Sequence, residues 1–155
     1  MTLGLMGTLC PAAPASSPAT NGPANYSTRL TSVAFEVGSR QHVVGDGRVE
    51  IMLDGRTAII KGEFAGLSAP ATQARIFEGA GVGVPGKPIL DLVATLNTEG
   101  TIGGTLTLSP AQLASLRSNR LYVRIDTGTA SDGALWGWLM PTRVFPGQDV
   151  PETER

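Results

Sequence analysis

The stretch RVEIMLDGRTAIIKGEF, residues 48–64, constrains this chain more than any other. Val49, Ile51 and Leu53 recur at every second position, the period of a strand with one buried face. Beyond Asp54-Gly55 the alternation resumes: Ala58, Ile60, Gly62 and Phe64 share one face, and Lys61 and Glu63 take the other. Asp-Gly is a favoured two-residue hairpin turn because both central positions need positive φ. The segment predicts a β-hairpin that turns at Asp54-Gly55.

Further strand-like segments follow the same logic. SVAFEV (32–37) places Val33, Phe35 and Val37 on one face. TQARIFE (72–78), PILDLVATL (88–96) and TIGGTLTL (101–108) continue the pattern, with Gly103-Gly104 marking a bulge or a close backbone approach. LYVRIDT (121–127) sets Leu121, Val123 and Ile125 against Tyr122, Arg124 and Asp126. A turn at Ser131-Asp132-Gly133 leads into ALWGWLM (134–140), apolar on both faces. One segment breaks the β pattern. In SPAQLASLRSN, Ser109 is a cap, Pro110 fits the first helical position, and Leu113 and Leu116 lie three apart. About eight strands, one short helix and no β-α alternation predict an all-β fold, an antiparallel β-sandwich over a Val/Ile/Leu core.

GAGVGVPGKP, residues 79–88, contains G-x-G-x-x-G at Gly81, Gly83 and Gly86, and G-x-x-x-x-G-K ending at Lys87. A phosphate cradle needs convergent N–H groups and a helix N-terminus directly after the loop. Here Pro88 removes an N–H, supplies no hydroxyl for magnesium, and is followed by Ile-Leu-Asp-Leu-Val, a strand pattern. The loop is therefore expected to join two strands, its glycines supplying positive φ.

Other chemistries are limited by the inventory. With one cysteine and one histidine, Cys10 and His42, zinc sites of four Cys or of two Cys and two His are excluded. His42, in a polar loop, has no orienting partner nearby in sequence. A formal net charge of −1 gives no electrostatic case for nucleic acid or an anionic membrane. No segment approaches the roughly 20 apolar residues of a membrane span. Asp91 stands in a strand of Leu and Val, to point outward or accept backbone bonds.

The ends differ from the middle. Residues 1–30 combine a short apolar run with PAAPASSPATNGPANYS, which resembles the end of a secretory signal followed by a disordered linker. Ala13-Pro14-Ala15 is a candidate cleavage site and Cys10 a candidate for lipidation, although no basic residue precedes Arg29 and Leu9 is a poor lipobox residue. The domain is expected over residues 31–141, with a C-terminal tail over 142–155.

Within 33–140 a resemblance emerges from ordered motifs. Phe35 is followed by Gly47-Arg48-Val49 at the start of the hairpin and by Gly66-Leu67 after it. ARIFEGAGVGVPGKPILDL resembles an Ala-His-Ile-His-Gly segment, its glycine-containing loop and the next strand. LYVRIDT and SDGALWGWL resemble Leu-Tyr-Val-x-Val-His-Thr and Gly-Glu-Ile-Arg-Gly-x-Leu. These motifs belong to the CHRD domain, first described in chordin and common in bacterial exported proteins. The chain resembles a divergent member. The family's histidines fall at Arg75, Phe77 and Asp126, its glycine after the first two at Glu78, and its Glu and Arg at Ala134 and Trp136. If those histidines hold a ligand or metal in the family, the positions of its polar groups offer only Asp126 as a metal donor here. The exchange also sets up a new pair, Arg75 with Asp126, if their strands are neighbours.

Trp136 and Trp138 lie two apart, ~7 Å along one strand face. Such a pair is either a platform for a sugar ring, a partner protein or another copy, or is covered by neighbouring structure. The resemblance implies a non-catalytic, exported binding or adhesion module without a cofactor, with protein or glycan at the cell surface as partner. The alternatives are an envelope-associated lipoprotein held by a lipid anchor and, disfavoured by the single histidine, a metalloenzyme on a superoxide-dismutase-like sandwich.

Overall fold

The computed structural model describes residues 24–32 and 44–142. Among them run nine strands and one helix: β1 (Ala24–Thr31), β2 (Asp46–Asp54), β3 (Thr57–Ala65), β4 (Ala71–Glu78), β5 (Lys87–Ala94), β6 (Gly100–Thr107), α1 (Pro110–Arg117), β7 (Leu121–Thr127), β8 (Ala130–Trp138) and β9 (Met140–Pro141). The expected strand over 32–37 beyond Ser32, His42, Cys10, the cleavage site and the tail beyond Thr142 lie outside the described residues.

The strands close into an eight-stranded antiparallel barrel, β1-β2-β3-β6-β5-β4-β7-β8 and back to β1, with β9 added along β1. This corrects the sandwich expectation. A period of two assigns faces but does not say whether sheet edges meet, and here both pairs of edges do. Closure is thin. β5 and β6 pair only at Val93↔Gly103 and Ala94↔Ile102, and β8 meets β1 at Thr31↔Trp136. Between these seams lie two four-stranded halves, so the alternation reads like that of a sandwich.

The hairpin forms with its expected faces but a shifted turn. Asp54 pairs with Thr57, leaving Gly55-Arg56 as the loop, and of these two only Gly55 has positive φ, 59°. That is the arrangement with glycine at the first central position. Moving the turn by one residue shifts every partner by two, which preserves the facing. Val49↔Gly62, Ile51↔Ile60 and Leu53↔Ala58 accordingly point into the barrel. The turn expected at Ser131–Gly133 likewise moves to Gly128-Thr129, where the Ala130 amide donates to Thr127 Oγ1 at 3.1 Å. The linker expected to reach residue 30 is displaced by β1. Tyr26 and Leu30 are buried in the core, and β1 pairs with β2 along all eight of its residues.

The barrel interior is filled by Val49, Ile51, Ile60, Phe64, Ile76, Ile102, Val123, Ile125 and Leu135, all buried. Helix α1 packs Leu116 onto this core. Its start is a capping box: Ser109 Oγ accepts from the Gln112 amide at 3.2 Å, and Gln112 Oε1 accepts from the Ser109 amide at 2.8 Å. Two otherwise orphaned helix donors are thereby satisfied. Asp91 is exposed on β5, directly opposite Arg75 of β4.

Candidate functional site

Strands β4, β7 and β8 lie side by side, and their registers bring four of the exchanged family positions, Arg75, Phe77, Asp126 and Trp136, together on the outer face. Arg75 stands opposite Arg124, Phe77 opposite Tyr122, Tyr122 opposite Trp138 and Arg124 opposite Trp136. A barrel's outer face normally faces water. Here Phe77, Tyr122 and Trp136 form a second apolar cluster, with Trp138 packed against it half-buried. Tyr122 is the centre of the cluster and is fully buried. Its ring lies 5.2 Å from Phe77, 5.1 Å from Trp136 and 4.5 Å from Trp138, centroid to centroid. Each such pair is worth about 0.5–1.5 kcal/mol beyond its buried area.

An ion cluster adjoins the rings. Asp126 Oδ1 lies 2.6 Å from Arg124 Nε, and Oδ2 accepts from Arg124 Nη2 at 3.0 Å and Arg75 Nη2 at 3.1 Å. The Arg124 guanidinium lies 4.2 Å from the Phe77 ring centroid and that of Arg75 5.5 Å. Arg124 also stands 5.8 Å from Trp136. The side chains are 6% (Asp126), 14% (Arg124) and 24% (Arg75) exposed, so solvent screens them little. The pairing of Arg75 with Asp126 anticipated from sequence is present. Arg124 and Tyr122, which the sequence placed only on the same outward face, turn out to hold it together. A metal cation beside Asp126 would meet two guanidinium groups, and among the described residues no group of three or more His, Cys, Asp or Glu side chains is placed to hold one.

The other exchanged positions go elsewhere. Ala134 belongs to the barrel core. Glu78 turns to α1, where its Oε1 accepts from Ser115 Oγ at 2.6 Å and lies 3.6 Å from Arg120. The two tryptophans do not form an open pair, which corrects the platform reading in part: Trp136 is 8% exposed. Gly133, at φ 113°, lets the strand pass so close that an added Cβ would run into the Trp136 indole nitrogen. Only Trp138 keeps part of its surface accessible.

The glycine-rich loop covers the remaining side of this cluster. The Gly86 amide donates to the Tyr122 hydroxyl at 3.0 Å. An added Cβ on Gly86 would strike the Glu78 carbonyl, and one on Gly79 would lie 2.8 Å from Trp138 Cη2. Gly83 takes positive φ, 82°, in a turn closed by the Val84 amide donating to the Gly81 carbonyl at 3.1 Å. Positive φ explains only Gly83; Gly79 and Gly86 are required for close approach. An amide that donates to Tyr122 is not available to an anion.

Beyond Trp138 runs a groove of about 990 Å³. Trp138 and Met140 form one wall, and Arg29, Arg48, Glu63 and Thr101 cross its floor. These four stand directly opposite one another in successive registers of β1, β2, β3 and β6. Arg29 pairs with Asp46 at 3.8 Å and Arg48 with Glu50 at 2.7 Å. Sequence reasoning missed this groove, because its floor needs β1 and β6 on either side of the β2–β3 hairpin, and no local pattern shows that placement.

The model of the CHRD domain family matches residues 26–139. No curated protein and no solved structure matches the chain.

Proposed function

The chain belongs to the CHRD domain family, and from that premise we propose that it is a non-catalytic, exported binding module that engages a partner at the cell surface. One observation carries this reading. Four of the positions where the family's motif has its polar groups, Arg75, Phe77, Asp126 and Trp136, are here packed into one cluster, with Asp126 held by two guanidiniums and Tyr122 buried among three rings. Among the rings, Trp138 keeps an accessible flank, above an open groove. Its indole is pinned by Tyr122 on one side and by Gly79 on the other. A half-exposed aromatic ring held rigid by its neighbours loses little entropy on binding, which suits recognition. The proposed export rests on the N-terminal segment, with Cys10 as the site of a lipid anchor or the segment removed by cleavage.

The test uses the full chain, fluorescently labelled and added to intact cells of its source organism. Saturable binding that falls on Trp138→Ala supports the reading. Absence of saturable binding, or binding that Trp138→Ala leaves unchanged, overturns it. Mass spectrometry of the native N-terminus checks export separately: a cleaved or lipid-bearing terminus is expected, and an intact Met1 would remove that part of the proposal.

A further inference from the structure

Resting on the binding-module reading above, the geometry points to a ligand class for the groove beside Trp138: we propose that it takes a neutral, polyhydroxylated chain, an oligosaccharide. Charge is the first argument. The groove carries two guanidiniums, Arg29 and Arg48, and three carboxylates, Asp46, Glu63 and Glu99. Both signs are mixed on the floor: Arg29 and Arg48 stand opposite each other, Arg48 in turn stands opposite Glu63, and Arg48 is flanked in its own strand by Asp46 and Glu50. A nucleic acid or acidic chain needs a surplus of positive charge, and a dedicated cation site needs convergent oxygens without interleaved guanidiniums. Neither is present here.

Composition is the second argument. The core of a protein–protein interface is depleted in charged residues and rich in apolar contact. This floor is the opposite, with ionisable side chains in three of its four strands and Glu99 just before the fourth, and with Trp138 and Met140 as its accessible apolar wall. Interleaved donors and acceptors do suit hydroxyl groups, each of which both donates and accepts. Arg48 and Arg29 can donate, Glu63 and Glu99 can accept, and the Thr101 hydroxyl can do either. The apolar C–H face of a pyranose ring then stacks on the exposed flank of Trp138. The volume, about 990 Å³, lies at the upper end of small-molecule sites and leaves room for more than one ring.

Ion pairs bridge neighbouring positions at the surface, with 78% and 66% exposure for Arg29 and Asp46 and 66% and 56% for Arg48 and Glu50. Exposed pairs of this kind contribute little to stability. They do set donor and acceptor groups side by side along the floor.

The experiment titrates the full chain with maltotetraose, cellotetraose, mannotetraose and chitotetraose, and with tetragalacturonate as the anionic counterpart. Tryptophan fluorescence and amide chemical shifts are followed. The expected result is binding of at least one neutral probe, with shifts at the Trp138 indole N–H and the Arg48 and Thr101 amides. Trp138→Ala and Arg48→Ala should each weaken it by about tenfold. Arg48 is exposed and remote from the core, so its variant keeps the test valid where Trp138→Ala unfolds the chain. Failure of every neutral probe, tighter binding of tetragalacturonate, or an Arg48→Ala affinity equal to that of the parent overturns the inference. Periodate oxidation of cell-surface sugars separates the two readings. If labelled protein still binds oxidised cells and Trp138→Ala abolishes that binding, the partner is a protein and only the saccharide inference fails. If untreated cells bind nothing, the binding-module reading fails.

Discussion

Asp126→Asn isolates the ion cluster with little change in shape. It removes one negative charge and leaves Arg75 and Arg124 side by side, since they are direct cross-strand neighbours. Breaking a fully buried pair costs about 3–5 kcal/mol. The arginine side chains here are 24% and 14% exposed, so water partly relieves the stranded charges and the expected loss is about 2.5 kcal/mol. For a domain of this size that lowers the thermal midpoint by about 10 °C. Differential scanning calorimetry at low and high salt measures it. Asp46→Asn is the control, because the Arg29–Asp46 pair spans 3.8 Å at the surface with both partners mostly exposed; its expected cost is below about 0.5 kcal/mol. A double variant with Arg75→Met should recover about 1 kcal/mol relative to additivity, since it withdraws one of the two opposed guanidiniums. If Asp126→Asn costs no more than Asp46→Asn, the cluster is not the electrostatic unit described here.

Three further outcomes are expected. Gly86→Ala should destabilise by about 2 kcal/mol in chemical denaturation, because its Cβ meets backbone, whereas Gly81→Ala, with open space around it, should stay within about 0.5 kcal/mol; equal effects would refute the close-approach account of the loop. Ser109→Ala should cost about 1 kcal/mol by loss of the capping box, read from the same denaturation curves, and an unchanged midpoint would count against the cap. In hydrogen exchange, the amides of Val93 and Ala94 at the thin β5–β6 seam should exchange faster than those of Ile76 and Val123 within the β4–β7 ladder; uniform protection would refute the seam as a weak closure.

How much of this was legible in the sequence depends on what each signal encodes. Alternation assigned the faces of β2, β3 and β7 because facing depends only on parity, and parity survived the one-residue error at Gly55. β1 escaped notice because ANYSTRLT carries only Tyr26 and Leu30 as large apolar residues, too sparse to stand out from the Ala/Pro/Ser run before it. Barrel closure escaped for another reason: it rests on three residue pairs at two seams, and no residue pattern encodes so few contacts. In the site, Arg75, Phe77, Asp126 and Trp136 were found through the resemblance, and their meeting on one face follows from the β4–β7–β8 order. That the cluster would be buried was not legible. Burial comes from the glycine loop folding over Tyr122, and the spacing of Gly79 and Gly86 signals a loop without saying what lies beneath it.

The pairing of β1 with β9 has a mechanical consequence. The Thr142 amide donates to the Asn25 carbonyl at 2.7 Å, so the first and last described residues of the barrel wall leave it at one point, on antiparallel strands. Tension applied through both flanking segments would load these hydrogen bonds one after another, as a zipper opens, instead of shearing a whole ladder together. Such a wall yields to small forces along that axis. The same adjacency lets the barrel sit inside a longer chain as a bead on a loop, or be cut and rejoined at other turns, with little strain at the junction.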